Sequence, residues 1–310
     1  MNCVEISEVT KTYGDKAAVN RLSLEIPEGS IYGFIGPNGS GKSTTLRMIM
    51  SIIYPDSGEI QVLGKRAEKA HNRAIGYLPE ERGLYQKMKV FELIQYFGEL
   101  KVGKFPKADI DSWLDRFDLT AAANKKVEAL SKGMSQKVQF ISTVIGRPKL
   151  LILDEPFSGL DPVNMDVVRR AIIELRQEGT TVIFSTHDMS TAEQMCDRIF
   201  MIYQGNKVLD GSLKEIQDHY SLDTIRLRMS GPAIKPGQIE GIASVNNLGQ
   251  EQHLRLQEGV LPQTILNKLI PLGDIHHFEA VTPSLHEIFI RIASPDPVDL
   301  EDAVEGVHHA

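Results

Sequence analysis

Cysteine and long apolar runs are scarce in this sequence. The two cysteines, Cys3 and Cys196, show neither a metal-ligand nor a redox spacing, and such isolated thiols are typical of a reducing compartment. The longest uninterrupted apolar run spans five residues, 199–203, whereas a membrane-spanning helix needs about 20. The first residues contain no basic region followed by an apolar core, so we expect no secretory signal. The composition argues against a disulfide scaffold and a membrane-spanning chain.

Basic residues are outnumbered by acidic ones. The sequence has 34 Lys and Arg against 41 Asp and Glu, which gives a net charge of −7. Because nucleic-acid backbones are bound by clustered Lys and Arg, we expect no nucleic-acid partner. Part of the excess lies near the end, where residues 296–305 contain five acidic groups and no basic one. Residues 295–310 are therefore predicted to form an acidic, disordered tail.

The most informative stretch is a glycine-rich turn between an apolar strand, residues 31–35, and an apolar helix. Glycines allow the backbone N–H groups to converge at the positive end of that helix, where they attract a polyphosphate. Lys42 can reach the terminal phosphates, and the Ser43 hydroxyl can ligate Mg²⁺. Alone, the pattern could be a surface turn, but its flanking elements favour binding of a nucleoside triphosphate. The residues expected to bind the phosphates are Gly36, Pro37, Asn38, Gly39, Ser40, Gly41, Lys42, Ser43 and Thr44.

Two acidic residues end a short, fully apolar strand. Such a strand is typical of a parallel sheet covered on both faces, and ligands bind at the carboxyl ends of these strands. Asp154 can hold Mg²⁺ through water, and Glu155 can orient and deprotonate an attacking water. His187 ends a strand that we expect to lie beside the acidic one, so its ring could contact the same water or phosphate. The alternatives are a helix-capping acidic loop and a structural histidine.

Two further residues have both a structural and a functional interpretation. Tyr13 lies near the start of the first predicted sheet, where an aromatic ring could stack on a purine. Ser131 precedes a helix with an apolar face, so it is either a simple N-cap or part of a second helix tip that contacts phosphate.

The periodicity of apolar residues divides the chain into segments. Residues 3–35 predict antiparallel strands, whereas the spacing within residues 84–146 changes to that of amphipathic helices. The composition shifts again near residue 220. We therefore expect a first domain over residues 1–219, a small α+β domain over 220–294, and the tail after it.

Taken together, these motifs resemble those of the nucleotide-binding subunits of ABC transporters, over about residues 3–215. The motifs occur in the family's order: residues 36–44, 130–134, 154–155, 158–161 and 187. The resemblance implies an α/β P-loop NTPase core with an antiparallel β subdomain and a helical subdomain, followed by the small α+β domain. It also implies a head-to-tail dimer with a second cassette, identical or different. Ser131 and Gly133 would contact the γ-phosphate held by the partner, Asp161 would lie in the loop that links the two sites, and Tyr13 would stack on adenine.

The sequence departs from the family pattern at a few positions. Glu80 stands where the family has a glutamine, and its carboxylate could still coordinate Mg²⁺ or its waters. Lys132 and Met134 replace the commoner glycine and glutamine. Residues 77–83 and 282–289, together with Lys132, resemble exporter-type subunits whose permease is a separate polypeptide.

The resemblance implies that the chain binds ATP and Mg²⁺, hydrolyses ATP and powers a separately encoded membrane permease, with export as the expected direction. It would then lie at the cytoplasmic face of the membrane, attached through the permease. A soluble ABC ATPase acting on ribosomes or nucleic acid is the alternative, disfavoured by the single cassette, the acidic tail and the lack of heptads. A regulatory module that scarcely hydrolyses ATP is disfavoured by Asp154, Glu155 and His187.

Overall fold

The structure is a computed structural model that describes residues 1–67, 72–80, 83–220, 224–249, 251–257 and 259–293. The chain forms two compact units, of which the first spans Met1–Asp210 and the second begins at Gly211. The sequence analysis places this boundary later, after residue 219. The predicted tail over residues 295–310 lies outside the described residues, as do positions 81 and 82 of the 77–83 motif.

Strands and helices alternate through most of the first unit. Its strands are β1 Asn2–Tyr13, β2 Lys16–Pro27, β3 Ile31–Ile35, β4 Ser57–Val62, β5 Lys65–Arg66, β6 Ile75–Leu78, β7 Leu150–Asp154, β8 Thr181–Thr186, β9 Arg198–Tyr203 and β10 Asn206–Gly211. Its helices are α1 Lys42–Ile49, α2 Val90–Val102, α3 Lys107–Arg116, α4 Lys132–Val144, α5 Pro162–Gln177 and α6 Met189–Met195. In the part of the chain that the structure describes, no helix is both long and apolar enough to cross a membrane.

A six-stranded sheet with the order β10-β9-β3-β8-β7-β6 forms the centre of the first unit. The pairings of β3 with β8 and β9, and of β7 with β6 and β8, are parallel. Every residue of β3, β7 and β8 is buried, because helices or the second sheet cover both faces of these strands. The carboxyl ends of the three strands therefore meet at one edge, and the segments that follow them lie side by side.

The second sheet of this unit is antiparallel, with the order β2-β1-β4-β5. The prediction of antiparallel strands over residues 3–35 is confirmed for β1 and β2 but is wrong for residues 31–35, which form β3 in the parallel sheet. The turn at residues 27–30 carries the chain from one sheet to the other. The Ile31 amide then donates to Asp197, at 2.8 Å, and fixes the start of β3 beside β9.

Helices α2, α3 and α4 lie within the segment predicted to be helical, residues 84–146. Their apolar faces share one core, in which Phe117 and Phe140 stack with ring centroids 5.6 Å apart. These two aromatic residues therefore serve packing, as their helical spacing indicates.

The second unit contains a four-stranded antiparallel sheet with the order β12-β13-β11-β14. Its elements are α7 Leu213–Tyr220, β11 Thr224–Met229, β12 Ile242–Leu248, β13 Glu251–Leu256, α8 Pro262–Leu269, β14 Ile275–Ala280 and α9 Leu285–Ala293. Its core includes Ile225, Leu227, Leu254 and Ile265. The α+β fold class is thus confirmed, although the sequence analysis did not foresee α7 or β12.

A glycine at the end of the β1–β4 pairing yields the first prediction. Glu8 interrupts β1 in a left-handed conformation, with φ 49°, and a Cβ on Gly58 would lie 2.5 Å from the carbonyl oxygens of Ser7 and Glu8. Gly58 has φ +85°. Gly64, at the other end of β4, has φ +72°, but no atom of the described residues lies within 4 Å of a Cβ added there. Gly64→Ala is therefore the matched control, since it has the backbone strain without the clash.

We expect Gly64→Ala to lower the free energy of unfolding by about 1–2 kcal/mol, the cost of a left-handed residue with a side chain. Gly58→Ala should lower it by about 1–3 kcal/mol more, because overpacking against backbone cannot be relieved by a rotamer change. Urea titrations followed by circular dichroism measure both. Equal losses for the two variants would contradict the predicted clash.

Candidate functional site

The glycine loop connects β3 to α1 and is wedged between two strands. A Cβ on Gly36 would lie 2.2 Å from the Ile202 carbonyl oxygen of β9, and a Cβ on Gly41 would lie 2.4 Å from the Ala18 carbonyl oxygen of β2. Both glycines have positive φ, 151° and 119°, so only glycine fits these positions. Among the described residues, no side chain caps the start of α1. Its first backbone N–H groups are therefore available to an anion.

The other predicted loop residues complete the same turn. The Ser40 amide donates to the Pro37 carbonyl, at 3.2 Å, and the Ser40 carbonyl accepts from the Gly205 amide, at 2.9 Å. Asn38 and Gly39 are exposed at the tip, and Thr44 is half-buried in the first turn of α1. The loop is thus held at both sides while its tip remains open.

Lys42 lies between the loop and the carboxylates at the sheet edge. Its side chain is buried, and Nζ donates to the carbonyl oxygens of Gly36, at 2.7 Å, and Pro37, at 3.1 Å. Burial lowers the pKa of Lys42, and the neighbouring carboxylates, Glu155 foremost, oppose that shift. The ammonium group is therefore a positive charge placed where phosphate oxygens would meet the loop.

Asp154, at the end of β7, is held by two hydroxyl groups. Ser43 Oγ donates to Asp154 Oδ1 at 3.1 Å, and Ser185 Oγ donates to the same oxygen. Asp154 Oδ2 is buried and has no hydrogen-bond partner among the described residues. A hydroxyl and a carboxylate oxygen are ligand types that Mg²⁺ prefers. The described residues contain no group of three or more His, Cys, Asp or Glu able to hold a metal, so Mg²⁺ here would take its other ligands from water and phosphate.

Glu155 and His187 face each other across β7 and β8. The two strands pair in parallel, which confirms the expected neighbourhood. Glu155 Oε1 lies 3.0 Å from His187 Nδ1, and the Glu155 amide donates to Ser185 Oγ at 3.0 Å. Glu155 is 8% exposed, whereas the His187 side chain is 59% exposed. A carboxylate fixed by an imidazole at an open edge can accept a proton from water.

The two remaining residues predicted to lie near the nucleotide, Glu80 and Tyr13, are both exposed. Glu80 follows β6 and is exposed, and its charge is one of those that oppose the lowering of the Lys42 pKa. Tyr13 ends β1, is 55% exposed and has Lys11 Nζ 5.8 Å from its ring centroid. The adjoining strand β2 touches the glycine loop through Ala18. The exposed ring is thus available for stacking.

Three predicted residues lie at the starts of helices α4 and α5. Ser131 caps α4 by accepting from the Met134 amide at 3.3 Å, and Asp161 caps α5 by accepting from the Asn164 amide at 3.0 Å. That backbone N–H group lowers the pKa of Asp161. Gly133 lies near Asn164, whose Nδ2 would be 3.7 Å from an added Cβ. Within the described residues, no hydrogen bond or ion pair joins these residues to residues 36–44.

The sequence analysis overlooked Ser185, which bonds both Asp154 and the Glu155 amide. The available signal was its position, two residues before His187 at the end of a strand. It also overlooked Gln136, one turn into α4, whose Nε2 donates to the Ser158 carbonyl. No local pattern distinguishes that glutamine from a surface residue.

Comparison with known proteins identifies the family. The profile of the ABC transporter family matches residues 19–158, and that of the C-terminal domain of DrrA1-3-like ATP-binding proteins matches residues 211–293. The chain is 42% identical to the ABC transporter ATP-binding protein YhaQ of Bacillus subtilis, over 92% of this chain and 97% of that protein. It is 35% identical to the Nod factor export ATP-binding protein I of Rhizobium etli, over 70% of this chain and 71% of that protein.

A solved structure shows the same fold. The ATP-binding subunit of an ABC transporter superposes with a TM-score of 0.65 and 27% identity, over 70% of this chain and 93% of that one. The two sheets, the glycine loop and the sequence identity over 92% of the chain all indicate the same family. This chain therefore belongs to the ATP-binding subunits of ABC transporters, a family of ATP-hydrolysing proteins.

Proposed function

We propose that this chain binds ATP with Mg²⁺, hydrolyses it as a dimer of cassettes, and powers a separate membrane permease that exports its substrate. The observation that carries the proposal is the meeting of five side chains at one edge of the parallel sheet: Lys42, Ser43, Asp154, Glu155 and His187. A lysine ammonium group, metal ligands and a base candidate lie together there, as phosphoryl transfer to water requires.

The residues at this edge fit Mg²⁺. Ser43 and Asp154 would hold it, with Asp154 Oδ2 as the oxygen that lacks another partner among the described residues, and Glu80 would bind it or its waters. When bound, the metal neutralises negative charge on the transferred phosphoryl group.

The chain's own residues would then divide the chemistry. The loop amides and Lys42 hold the phosphates, and Lys42 exchanges its bonds to the Gly36 and Pro37 carbonyls for bonds to phosphate oxygens. Glu155 accepts the proton of the attacking water, a contribution of about 10²–10⁴-fold. His187 holds Glu155 in place and positions the water against the phosphate.

A second cassette would complete each site. Ser131, Gly133 and Asp161 are not bonded to the glycine loop of their own chain within the described residues, and Ser131 and Asp161 are exposed. In a head-to-tail dimer of this family, they would contact the ATP and the glycine loop of the partner. The partner is a second copy of this chain or a different cassette.

The direction of transport rests on relatives and motifs. The name of the Rhizobium etli relative states that it serves Nod factor export. The exporter-type motifs within residues 77–83 and 282–289 favour the same direction. The chain would then lie at the cytoplasmic face of the membrane, held there by its permease.

Replacement of Glu155 tests the base. We expect Glu155→Gln to retain ATP binding, lower ATP hydrolysis at least about 100-fold and trap an ATP-bound dimer, because the amide keeps the shape of the side chain but accepts no proton. Phosphate release and size-exclusion chromatography with ATP measure these effects. Glu178→Gln, at the exposed end of α5, is the control. Normal turnover by Glu155→Gln would contradict the assignment.

Replacement of Ser131 tests the shared site. We expect Ser131→Arg to bind ATP as the isolated protomer does but to fail to dimerise, because the larger side chain blocks the approach of the partner. Thr120→Arg adds the same side chain at an exposed position outside the site and should dimerise normally. Light scattering measures the molar mass of both variants with ATP, in the Glu155→Gln background. Unimpaired dimerisation of the Ser131→Arg variant would refute the shared site.

Capture from solubilised membranes tests the permease. We expect the tagged chain to retain an integral membrane protein in a fixed ratio, and the purified complex to move substrate out of vesicles only with ATP and Mg²⁺. The Glu155→Gln variant should retain the same protein without transport. Retention of ribosomes or nucleic acid in place of a membrane protein would support the alternative function instead.

A further inference from the structure

The first turns of α4 hold the loop that follows Glu155 in the same chain. Gln136 Nε2 donates to the Ser158 carbonyl oxygen at 2.6 Å. The Ser158 amide in turn donates to the Glu155 carbonyl oxygen, at 3.2 Å, which closes a turn that starts at Glu155. One side chain of α4 is therefore bonded to the turn that carries the base candidate.

A second contact joins the same two segments. The Lys132 side chain lies over Gly159, where an added Cβ would be 3.1 Å from Nζ and 3.3 Å from Cε. Lys132 is the first residue of α4, and a cation at a helix N-terminus is unfavourable for the helix dipole. The Lys132 charge therefore destabilises the start of α4, while its side chain lies close to Gly159. Gln136 thus bonds residue 158, and the Lys132 side chain lies close to residue 159.

The turn itself depends on outside support. Glu155 has φ 49°, a left-handed conformation that persists in a non-glycine residue only where the surroundings hold it. The Ser185 hydroxyl fixes its amide from β8, and Gln136 fixes the other end of the turn from α4. Movement of α4 relative to the sheet would therefore change the conformation of this turn.

A small cavity extends the link to the carboxylates. It has a volume of about 10 Å³ and is lined by Gln136, Gln139, Asp154 and Glu155, among others. Gln136 is 6% exposed, and its Oε1 is buried with no hydrogen-bond partner among the described residues. The volume is near the minimum that holds one water, about 10–15 Å³. A single water there can donate to the Gln136 amide oxygen and to a carboxylate of the site.

We infer that Gln136 is a positioning residue that transmits occupancy of the partner's ATP site to the Glu155 of its own chain. The inference rests on the proposed function, in which Ser131 and Gly133 contact the partner's ATP. Because α4 is one continuous helix over Lys132–Val144, displacement of its tip displaces Gln136 as well. The bond to Ser158 then moves the turn that starts at Glu155, so each site becomes ready for hydrolysis when the other is filled.

The first test measures the link in the intact chain. Gln136→Met keeps the length of the side chain and removes its hydrogen bonds, and Gln136→Glu keeps an acceptor but removes the N–H donor. We expect both to speed hydrogen exchange of the amides in residues 155–161 about fivefold, the effect of losing a bond worth about 1 kcal/mol.

Gln139→Met is the matched control for this test. Gln139 is also 6% exposed and lines the same cavity. It makes no side-chain hydrogen bond within the part of the chain that the structure describes. The control should leave exchange in residues 155–161 within about twofold of the wild type, since no bond to the loop is lost.

The second test measures the consequence for catalysis. We expect the Hill coefficient of ATP hydrolysis to fall from near two, about the number of sites in the dimer, to near one in both Gln136 variants. ATP affinity of the isolated protomer should stay within about twofold, because among the described residues the Gln136 side chain bonds Ser158 and no residue of the glycine loop. A merely structural role would lower the stability and leave the Hill coefficient unchanged.

The outcomes separate this inference from the proposed function. Unchanged exchange and unchanged cooperativity in Gln136→Met, or equal losses in Gln139→Met, would overturn the inference while the Ser131 and Glu155 results stand. Faster exchange together with retained cooperativity would also overturn it, since the link would then exist without transmitting occupancy. Dimerisation of the Ser131→Arg variant would refute the shared site itself, irrespective of Gln136.

Discussion

The parallel pairing of β3, β8 and β7 is the constraint on which the candidate site depends. Parallel strands end at the same edge, so the glycine loop after β3, Asp154 and Glu155 after β7, and His187 after β8 become neighbours. The hydrogen bonds of Ser43 and Ser185 to Asp154, and of His187 to Glu155, are side-chain consequences of that register. A shift of one strand by one residue would turn these side chains to the opposite face.

Close backbone approach adds a second constraint. The glycine loop is confined by the Ile202 and Ala18 carbonyl oxygens, which leave no space for a Cβ at Gly36 or Gly41. The confinement fixes the direction of the α1 N-terminus and places Lys42 on the loop carbonyls. Rigidity of this kind favours binding, because a preformed anion site loses little conformational entropy when it is filled.

The residues of the proposed site form two groups in one chain. One group surrounds the glycine loop, and the other comprises the capped starts of α4 and α5, near Ser131 and Asp161. The bond from Gln136 to the Ser158 carbonyl connects the second group to Glu155 of the first. Under the proposed function, both partners contact each ATP, and the two sites communicate because helix α4 is continuous from Lys132 to Val144.

The sequence by itself determined the features that depend on a few neighbouring residues, such as the glycine loop and the acidic pair. The phosphate-binding loop is predicted from the spacing of the glycines, the lysine and serine after them, and the flanking strand and helix. Such a prediction is possible because turn, strand and helix preferences act over a few residues. The acidic pair after an apolar strand is equally local. The order of the motifs gave the resemblance to ABC transporter subunits. The comparisons with known proteins then showed that the chain belongs to that family.

Only the tertiary structure decided which of these segments touch. Helix α7 had a local signal that the sequence analysis did not use: Ser212 stands three residues before Glu215, the spacing of a capping box. In the structure the two residues form the reciprocal bonds of that motif. Strand β12 had none, since Asn246 and Asn247 are poor strand residues, and they are held by pairing with β13. Three other contacts likewise join residues far apart in the chain. They are the parallel pairing of residues 31–35 with β8, the hydrogen bond of Ser185 to Asp154 and the hydrogen bond of Gln136 to the Ser158 carbonyl. Local preferences do not encode such contacts, because they arise only when burial of the core brings distant segments together.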